Sequence, residues 1–262
     1  MCAMKISIIT VAYNSEATIK DTIESVLAQT YRDIEYIIVD GKSTDDTLKI
    51  ANGYKEIFGE KLVVISKKDN GLYDAMNKGI LAATGDIVGI LNSDDFFTST
   101  YSVEKIANEF RSKIIDGIYG NVEFVKRDNT TCIIRTFTSK HFRKWQLRFG
   151  IAPPHPAFYV KKSCYEKLGL YKTDYKISAD FDLMTRMITK GININYLDEV
   201  LVTMRDGGTS TKNLNSRITS IYELKRACKE NNIYTNIFFL LFRFFVKIWE
   251  FNLKNYLQMN KK

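Results

Sequence analysis

The chain has 262 residues, of which 45% are hydrophobic and 26% are charged, so it is long enough to bury one large core. Its four cysteines show no CxxC spacing, which disfavours a zinc ribbon and a disulfide framework. The first residues lack a basic segment followed by an apolar stretch, so we expect a cytoplasmic protein.

The formal net charge of +8 is concentrated near the carboxyl end. Residues 212–262 contain ten Lys or Arg against three Glu, whereas the first 211 residues are nearly neutral. A basic segment of this kind can meet nucleic acid or an anionic membrane, and its composition must decide between the two.

Strands and helices are expected to alternate through the first 92 residues. The predicted strands are 5–13, 34–40, 61–66 and 86–92. Each of the first three is followed by a helical pattern with apolar residues on one side. This order predicts an α/β fold with a largely parallel sheet and right-handed crossovers.

The pattern changes after residue 95, where the sheet is expected to become mixed. A helix is predicted near 102–112, and the strands 117–125 and 131–137 form a predicted hairpin. Residues 142–156 contain all three prolines and little periodicity, so they are interpreted as a loop or short helix that shapes a pocket. The remaining predicted elements are a helix over 179–190, a strand over 194–204 and an amphipathic helix over 213–231.

Acidic residues follow three of the predicted strands. Asp40, Asp69 and the pair Asp94 and Asp95 lie at or just beyond carboxyl ends of parallel strands, so they should share one edge of the sheet. Oxygen ligands favour Mg²⁺ or Mn²⁺, and the site suggests a metal-bound nucleotide. The alternative is that the Asp94 and Asp95 pair only turns the chain and caps a helix. The absence of GxGxxG and of a Walker lysine disfavours a dinucleotide cofactor and a phosphate-loop ATPase.

Several ordered motifs resemble those of the family 2 glycosyltransferases. They are Ile8–Asn14 (IITVAYN), Val39–Thr47 (VDGKSTDDT), Asp69–Gly79 (DNGLYDAMNKG), Gly85–Asp86 and Leu91–Asp95 (LNSDD). The resemblance covers roughly the first hundred residues and continues more weakly to about Ser210. It implies a GT-A fold, a nucleotide-sugar donor with UDP favoured, and inversion at the anomeric carbon.

The resemblance also implies roles for the matching residues. Thr10, Ala12 and Asn14 would border the nucleotide, Asp40 and Asp69 would approach its base, Asp94 would contact the ribose region, and Asp95 would coordinate Mn²⁺ or Mg²⁺. The alternative for Asp40 is a turn-forming aspartate before Gly41.

The segment Ser178–Arg186 resembles the family's Glu-Asp motif at the start of a helix, where Asp180 matches the catalytic aspartate. Inversion needs a base that takes the proton of the acceptor hydroxyl, and Asp180 is expected to be that base. Ala179 replaces the usual Glu, which puts a supporting interaction in doubt. Asp182 is the second candidate base, and Asp180 could instead cap the helix.

Two further segments resemble parts of these enzymes, and the first of them resembles the acceptor side. In Pro153–Phe158, His155 is expected to touch acceptor or diphosphate, although a structural histidine is the alternative. In Arg205–Ser210, which resembles a flexible glycine loop, Arg205 is expected to add positive charge at the diphosphate. A simple glycine turn is the alternative. The Gln-x-x-Arg-Trp signature of processive synthases is absent, which favours transfer of one sugar per encounter.

Residues 235–258 are apolar around most of a helix, with one polar stripe formed by Arg243, Lys247, Glu250 and Lys254. No uncharged stretch is long enough to span a bilayer, so we expect a helix that lies on an anionic membrane surface. A helix packed into the core or a homodimer interface is the alternative. Nucleic acid is disfavoured because the main region has no positive surplus.

We therefore predict a catalytic GT-A domain over 1–211, with a donor half (1–95) and an acceptor half (96–211), followed by a basic helical tail over 212–262. The predicted activity is metal-dependent hexosyl or N-acetylhexosaminyl transfer to a glycan, with a lipid-linked acceptor in cell-surface polysaccharide biosynthesis. The protein would be peripheral on the inner face of the cell membrane. A non-catalytic nucleotide-sugar sensor or assembly subunit is the alternative, whereas a nucleotidyltransferase should carry an early basic loop that this chain lacks.

Overall fold

A computed structural model describes residues 4–207 and 214–242. The strands are β1 (Ile6–Ala12), β2 (Ile34–Asp40), β3 (Leu62–Ser66), β4 (Ile87–Ile90), β5 (Phe96–Phe97), β6 (Gly117–Lys126), β7 (Asn129–Phe137), β8 (Phe158–Lys161) and β9 (Ile194–Arg205). The α-helices are α1 (Ile19–Leu27), α2 (Thr47–Gly53), α3 (Lys55–Phe58), α4 (Leu72–Ala82), α5 (Ser102–Ser112), α6 (Lys162–Leu168), α7 (Ala179–Thr189) and α8 (Leu214–Glu230). Residues 237–242 are also helical.

Four neighbouring strands in the order β3-β2-β1-β4 are parallel. Every residue of β1 and β2 is buried, because helices cover both faces of the sheet. Successive side chains point to opposite faces, so Ile9 packs in one cluster with Met76 of α4, whereas Ile8 packs in the other with Ile23 of α1. The carboxyl ends of these strands therefore meet at one edge.

The second half makes the sheet mixed. β8 runs antiparallel to β4 and β6, β9 is parallel to β6, and the short β5 is antiparallel to β9. β6 and β7 form the predicted antiparallel hairpin. The predicted fold class, an α/β sheet that is parallel at first and then mixed, is confirmed.

Some local predictions differ from the structure. β5, β8 and α6 were not predicted, because elements of two to seven residues are too short to show a period. One helical pattern was expected after the second strand, but the helix there ends at Gly53 and α3 begins at Lys55. Glycine is a poor helix former, which is consistent with a break at that point.

The described part of the predicted tail packs onto the rest of the protein. Leu224, Ala227 and Cys228 of α8 are buried in the same cluster as Leu183 and Met187 of α7. The boundary at residue 211 stays a prediction. The polar stripe of Arg243, Lys247, Glu250 and Lys254 lies outside the described residues. Over 4–207 and 214–242, no helix combines the length and apolar character needed to cross a bilayer.

Candidate active site

An open cleft of about 1160 Å³ lies at the carboxyl ends of β1 and β4. The hairpin, the loop over 152–156 and the first turns of α7 and α8 form its other walls. Eight of the eleven predicted site residues line it: Ala12, Asn14, Asp69, Asp94, Asp95, His155, Asp180 and Arg205. Tertiary packing thus brings the predicted donor half (1–95) and the predicted acceptor half (96–211) to one cavity.

Asp94 and Asp95 follow β4 at the floor of this cleft. Asp95 is 2% exposed, and the Asn92 side-chain amide donates to its Oδ2 at 2.9 Å. Burial first, and then the neighbouring Asp94 carboxylate, raises the pKa of Asp95 well above its usual range. The buried Asp95 carboxylate, crowded by the partly exposed Asp94, would gain from a cation.

Two arginines approach this acidic pair. The Arg205 side chain is buried, donates from Nη1 to the Asp94 carbonyl at 2.7 Å, and pairs with Asp21. The Arg205 guanidinium is therefore already engaged by the Asp94 backbone and by the Asp21 carboxylate. Arg127, in the hairpin turn, places Nη2 3.3 Å from Oδ2 of Asp94. Arg127 is not among the predicted site residues, because a turn residue carries no periodic signal.

The loop after β1 connects to the loop after β2. Asn14 has a left-handed φ of 48°, and its Oδ1 accepts a hydrogen bond from the Thr44 backbone N–H at 2.9 Å. Asp69 lies over Gly41, where any side chain would collide with its carboxylate. Asn14 and Asp69 are therefore held on the same wall, where the predicted contacts to the nucleotide would be made.

Thr10 and Asp40 lie deeper and are not among the residues that line the cleft. Thr10 is fully buried and its Oγ1 accepts from the Tyr36 hydroxyl at 3.0 Å. Asp40 is also fully buried, and its Oδ2 accepts from the Ser66 hydroxyl at 2.6 Å. Both brace the donor wall, and their predicted contacts to the nucleotide remain predictions.

Asp180 lies in the first turn of α7 and faces the cleft. Burial raises the pKa of Asp180, and the nearby His155 acts against that rise. The Tyr73 hydroxyl donates to the Ile177 carbonyl and also acts to lower the pKa of Asp180. A carboxylate with a raised pKa is a stronger proton acceptor, which suits a general base.

Asp182 does not reach the cleft. It is fully buried, and its Oδ1 accepts from Lys172 Nζ at 3.0 Å and from Asn231 Nδ2 at 3.1 Å. Its Oδ2 lies 3.5 Å from Arg186 Nη2. Two positions along a helix correspond to about 200° of rotation, so Asp180 and Asp182 face opposite sides of α7. Asp182 anchors α7 to its neighbours.

His155 lines the cleft on the side of the predicted acceptor half. Its Nε2 shares a hydrogen bond with the Tyr171 hydroxyl. Burial lowers the pKa of His155, so the ring is neutral near pH 7. A neutral, hydrogen-bonded ring can shape the wall and can make a polar contact to an acceptor.

Glu223 of α8 holds the turn that carries Asp180. Its two carboxylate oxygens accept the backbone N–H groups of three consecutive residues: Lys176 at 2.7 Å, Ile177 at 3.0 Å and Ser178 at 2.8 Å. Glu223 is buried. Nothing within Ser178–Arg186 indicates this partner, because it lies 45 residues away from Ser178. A carboxylate from α8 thus supports the turn where Ala179 replaces the usual Glu.

Comparison with known proteins gives consistent results. The profile of Glycosyl transferase family 2 matches residues 7–168. A PGL/p-HBAD biosynthesis glycosyltransferase from Mycobacterium bovis is 30% identical over 217 residues, which cover 79% of each chain.

Two solved structures are similar in fold. One is Staphylococcus aureus TarS 1–349 in complex with UDP-GlcNAc, with a TM-score of 0.70, 18% identity and coverage of 86% of this chain and 66% of that chain. The other is the mannosyltransferase PcManGT from Pyrobaculum calidifontis in complex with GDP-Man and Mn²⁺, with a TM-score of 0.64, 18% identity and coverage of 88% and 64%. The chain spans about two thirds of each of these structures. At such identities the likeness establishes the fold, which is that of GT-A glycosyltransferases.

Proposed function

The chain belongs to glycosyl transferase family 2, and from this membership we propose that it transfers a sugar from a nucleotide diphosphate to a hydroxyl of a glycan, with inversion. The observation that carries the proposal is the placement of the Asp94 and Asp95 pair and of Asp180 in one cleft. The Asp94 and Asp95 pair is suited to binding the donor diphosphate through a cation, and Asp180 is suited to accepting a proton from the acceptor.

The donor side fits a nucleotide diphosphate with a divalent cation. Among residues 4–207 and 214–242, no group of three or more His, Cys, Asp or Glu side chains could enclose a metal. Asp95, with Asp94 beside it, would therefore hold Mn²⁺ or Mg²⁺ together with diphosphate oxygens, which are hard ligands of the same kind. A bound cation would offset the negative charge that develops on the leaving diphosphate. We favour UDP as the nucleotide.

Asp180 then acts as the general base. It takes the proton from the acceptor hydroxyl while that oxygen bonds to the anomeric carbon from the face opposite the diphosphate. The bond between this carbon and the diphosphate oxygen breaks, and the nucleotide diphosphate leaves with the electron pair. Glu223 holds the turn of Asp180 in place, and neutral His155 borders the acceptor.

We further propose that the acceptor is a lipid-linked glycan in cell-surface polysaccharide biosynthesis, with the protein peripheral on an anionic membrane through 235–258. The surplus of positive charge in residues 212–262 supports this partner.

The test uses the purified full chain with Mn²⁺ or Mg²⁺ and a panel of nucleotide sugars. Released nucleotide diphosphate is measured with and without a lipid-linked acceptor, for the wild type and for Asp95→Asn. Turnover with one donor that disappears in the variant would support the transferase. Donor binding without turnover in the presence of competent acceptors would favour the nucleotide-sugar sensor instead.

A further inference from the structure

An exposed aromatic surface lies between the turn over 144–149 and the segment after α8. We define the aromatic platform as Trp145, Phe149, Phe238, Phe239 and Phe242. The Phe149 ring lies 5.0 Å from the ring of Phe239 and 5.8 Å from that of Phe242, and Trp145 packs edge-on against Phe149 at 5.8 Å. Trp145 is 61% exposed, Phe238 is 80% exposed and Phe242 is 53% exposed. Exposed aromatic side chains at this density mark an interaction site.

The platform is anchored to the protein. Leu147, in the same turn, is fully buried, and its carbonyl lies 3.5 Å from the Cys228 thiol of α8. The Thr235 hydroxyl donates to the Arg148 carbonyl at 2.5 Å. The turn and the segment after α8 are therefore joined through one buried and one partly buried contact, which orients the exposed rings as one surface.

Cations lie beside the platform, and the Arg148 guanidinium lies 5.8 Å from the centre of the Phe239 ring. Residues 129–165 contain seven Lys or Arg and no acidic residue, and four of those cations lie within 140–149. A groove of about 610 Å³ beside the platform is lined by Lys225 and Lys229, together with Tyr234 and Thr235. Arg226 also lines it, but it is paired with Asp174 and Glu230. Lys225 and Lys229 are exposed. Aromatic rings flanked by cations match the boundary of an anionic bilayer, where rings enter the head-group region and cations meet phosphates.

We infer that the aromatic platform and the adjacent basic groove form a docking surface for an anionic lipid bilayer. The inference extends the proposed membrane partner of 235–258 to a second element, the turn over 144–149. This turn leads within a few residues to Ala152, Pro154 and His155 in the cleft wall. Docking would thus bring the acceptor side of the cleft towards the membrane.

The experiment uses Trp145 as its own reporter. The chain contains two tryptophans, and Trp249→Phe leaves Trp145 alone. The full chain with this change is mixed with phosphatidylcholine vesicles or with mixed phosphatidylglycerol and phosphatidylcholine vesicles, carrying brominated or ordinary acyl chains. We expect a blue shift and bromine quenching of Trp145 only with phosphatidylglycerol, weakened by salt. Phe238→Ser should weaken vesicle binding about tenfold, and the double change Lys225→Gln and Lys229→Gln by about fivefold per charge.

The matched control is Ile114→Ser, at an exposed apolar residue after α5, which should leave binding unchanged. Vesicle binding without quenching of Trp145 would overturn the inference, because another segment would then hold the membrane. Loss of a dimer in Phe238→Ser, with unchanged vesicle binding, would instead assign the platform to a second copy of the chain. Turnover with detergent-dispersed acceptor is measured on the same variants, so failure of docking is distinguishable from failure of the transferase.

Discussion

The donor half and the acceptor half of the cleft are built in different ways. In the predicted donor half, the predicted site residues lie in or shortly after parallel strands, and Asp95 lies a few residues after β4. In the acceptor half, Asp180 lies on a helix whose first turn is held by Glu223 of another helix. The donor wall therefore depends on local sequence order, whereas the acceptor wall depends on packing between distant segments.

Among the substitutions proposed here, Asp95→Asn should produce the largest loss of turnover. Removing the buried carboxylate that would hold a cation should lower turnover by about 10³-fold or more. The protein should still fold, because a neutral amide is well tolerated where burial raises the pKa of the carboxyl group. Turnover, donor affinity by calorimetry and the melting temperature are measured together. Glu166→Gln, at an exposed acid outside the cleft, is the control. Full activity of the Asp95 variant would remove the donor half from the mechanism.

Asp180→Asn should lower transfer by about 10²-fold to 10³-fold, because the acceptor hydroxyl loses its base. Donor affinity should be unchanged, in contrast to Asp95→Asn. Single-turnover transfer and donor binding separate the two effects. Equal loss of donor binding in both variants would show that the two halves do not have separate roles.

Glu223→Gln should lower the transfer rate constant by about tenfold without changing donor affinity, because misplacing a catalytic group is costly even when substrates bind. Glu223→Ala should lower the rate constant further, and it should also lower stability, since three N–H groups, among them the buried one of Ser178, would lose their acceptor. The decisive readout is the split between the transfer rate constant and donor affinity. A drop in stability with no change in the rate constant per folded molecule would reduce Glu223 to a purely structural residue.

Asp182→Asn should lower stability and leave the chemistry intact. The change leaves Lys172 and Arg186 without a buried carboxylate. We expect a loss of about 2 kcal/mol in the free energy of unfolding, below the cost at a fully buried pair because a third of the Lys172 side chain is exposed. Denaturant unfolding checks the stability. Turnover per folded molecule is also measured. If it falls as far in Asp182→Asn as in Asp180→Asn, Asp182 rather than Asp180 is the base.

The smallest expected effect concerns pH. Burial raises the pKa of Asp180 in the folded state, so this group favours folding below its unfolded pKa of about 3.9, and that contribution is lost as pH rises through the folded value. Asp180→Asn should therefore gain stability relative to the wild type as pH rises through this window. Melting temperatures of the wild type and of Asp180→Asn, measured from the unfolded pKa upward through the folded pKa of Asp180, test the direction of this change. In the wild type, the acid limb of the activity profile should lie above the range of an ordinary aspartate. If the stability of Asp180→Asn relative to the wild type falls as pH rises, the raised pKa of Asp180 is contradicted.

The two halves also differ in how far they could be predicted. The alternation of strands and helices through β4 was predicted because long buried strands leave continuous apolar runs. β5 and β8 were missed because they are short and owe their strand structure to pairing with β9, β4 and β6. Arg127 and Glu223 were missed because their partners, Asp94 and the turn before Asp180, are distant in sequence.

By itself, the sequence determined the family, the α/β order of elements and the acidic residues that follow the strands, because these depend on local pattern and on ordered motifs. Only the tertiary structure decided which acids face the cleft. It turned Asp180 towards the cavity and buried Asp182 against Lys172 and Arg186, and it directed Arg205 to Asp21 and the Asp94 carbonyl. The reason is physical: the direction of a side chain and its partners are set by the packing of segments that meet only when the chain folds.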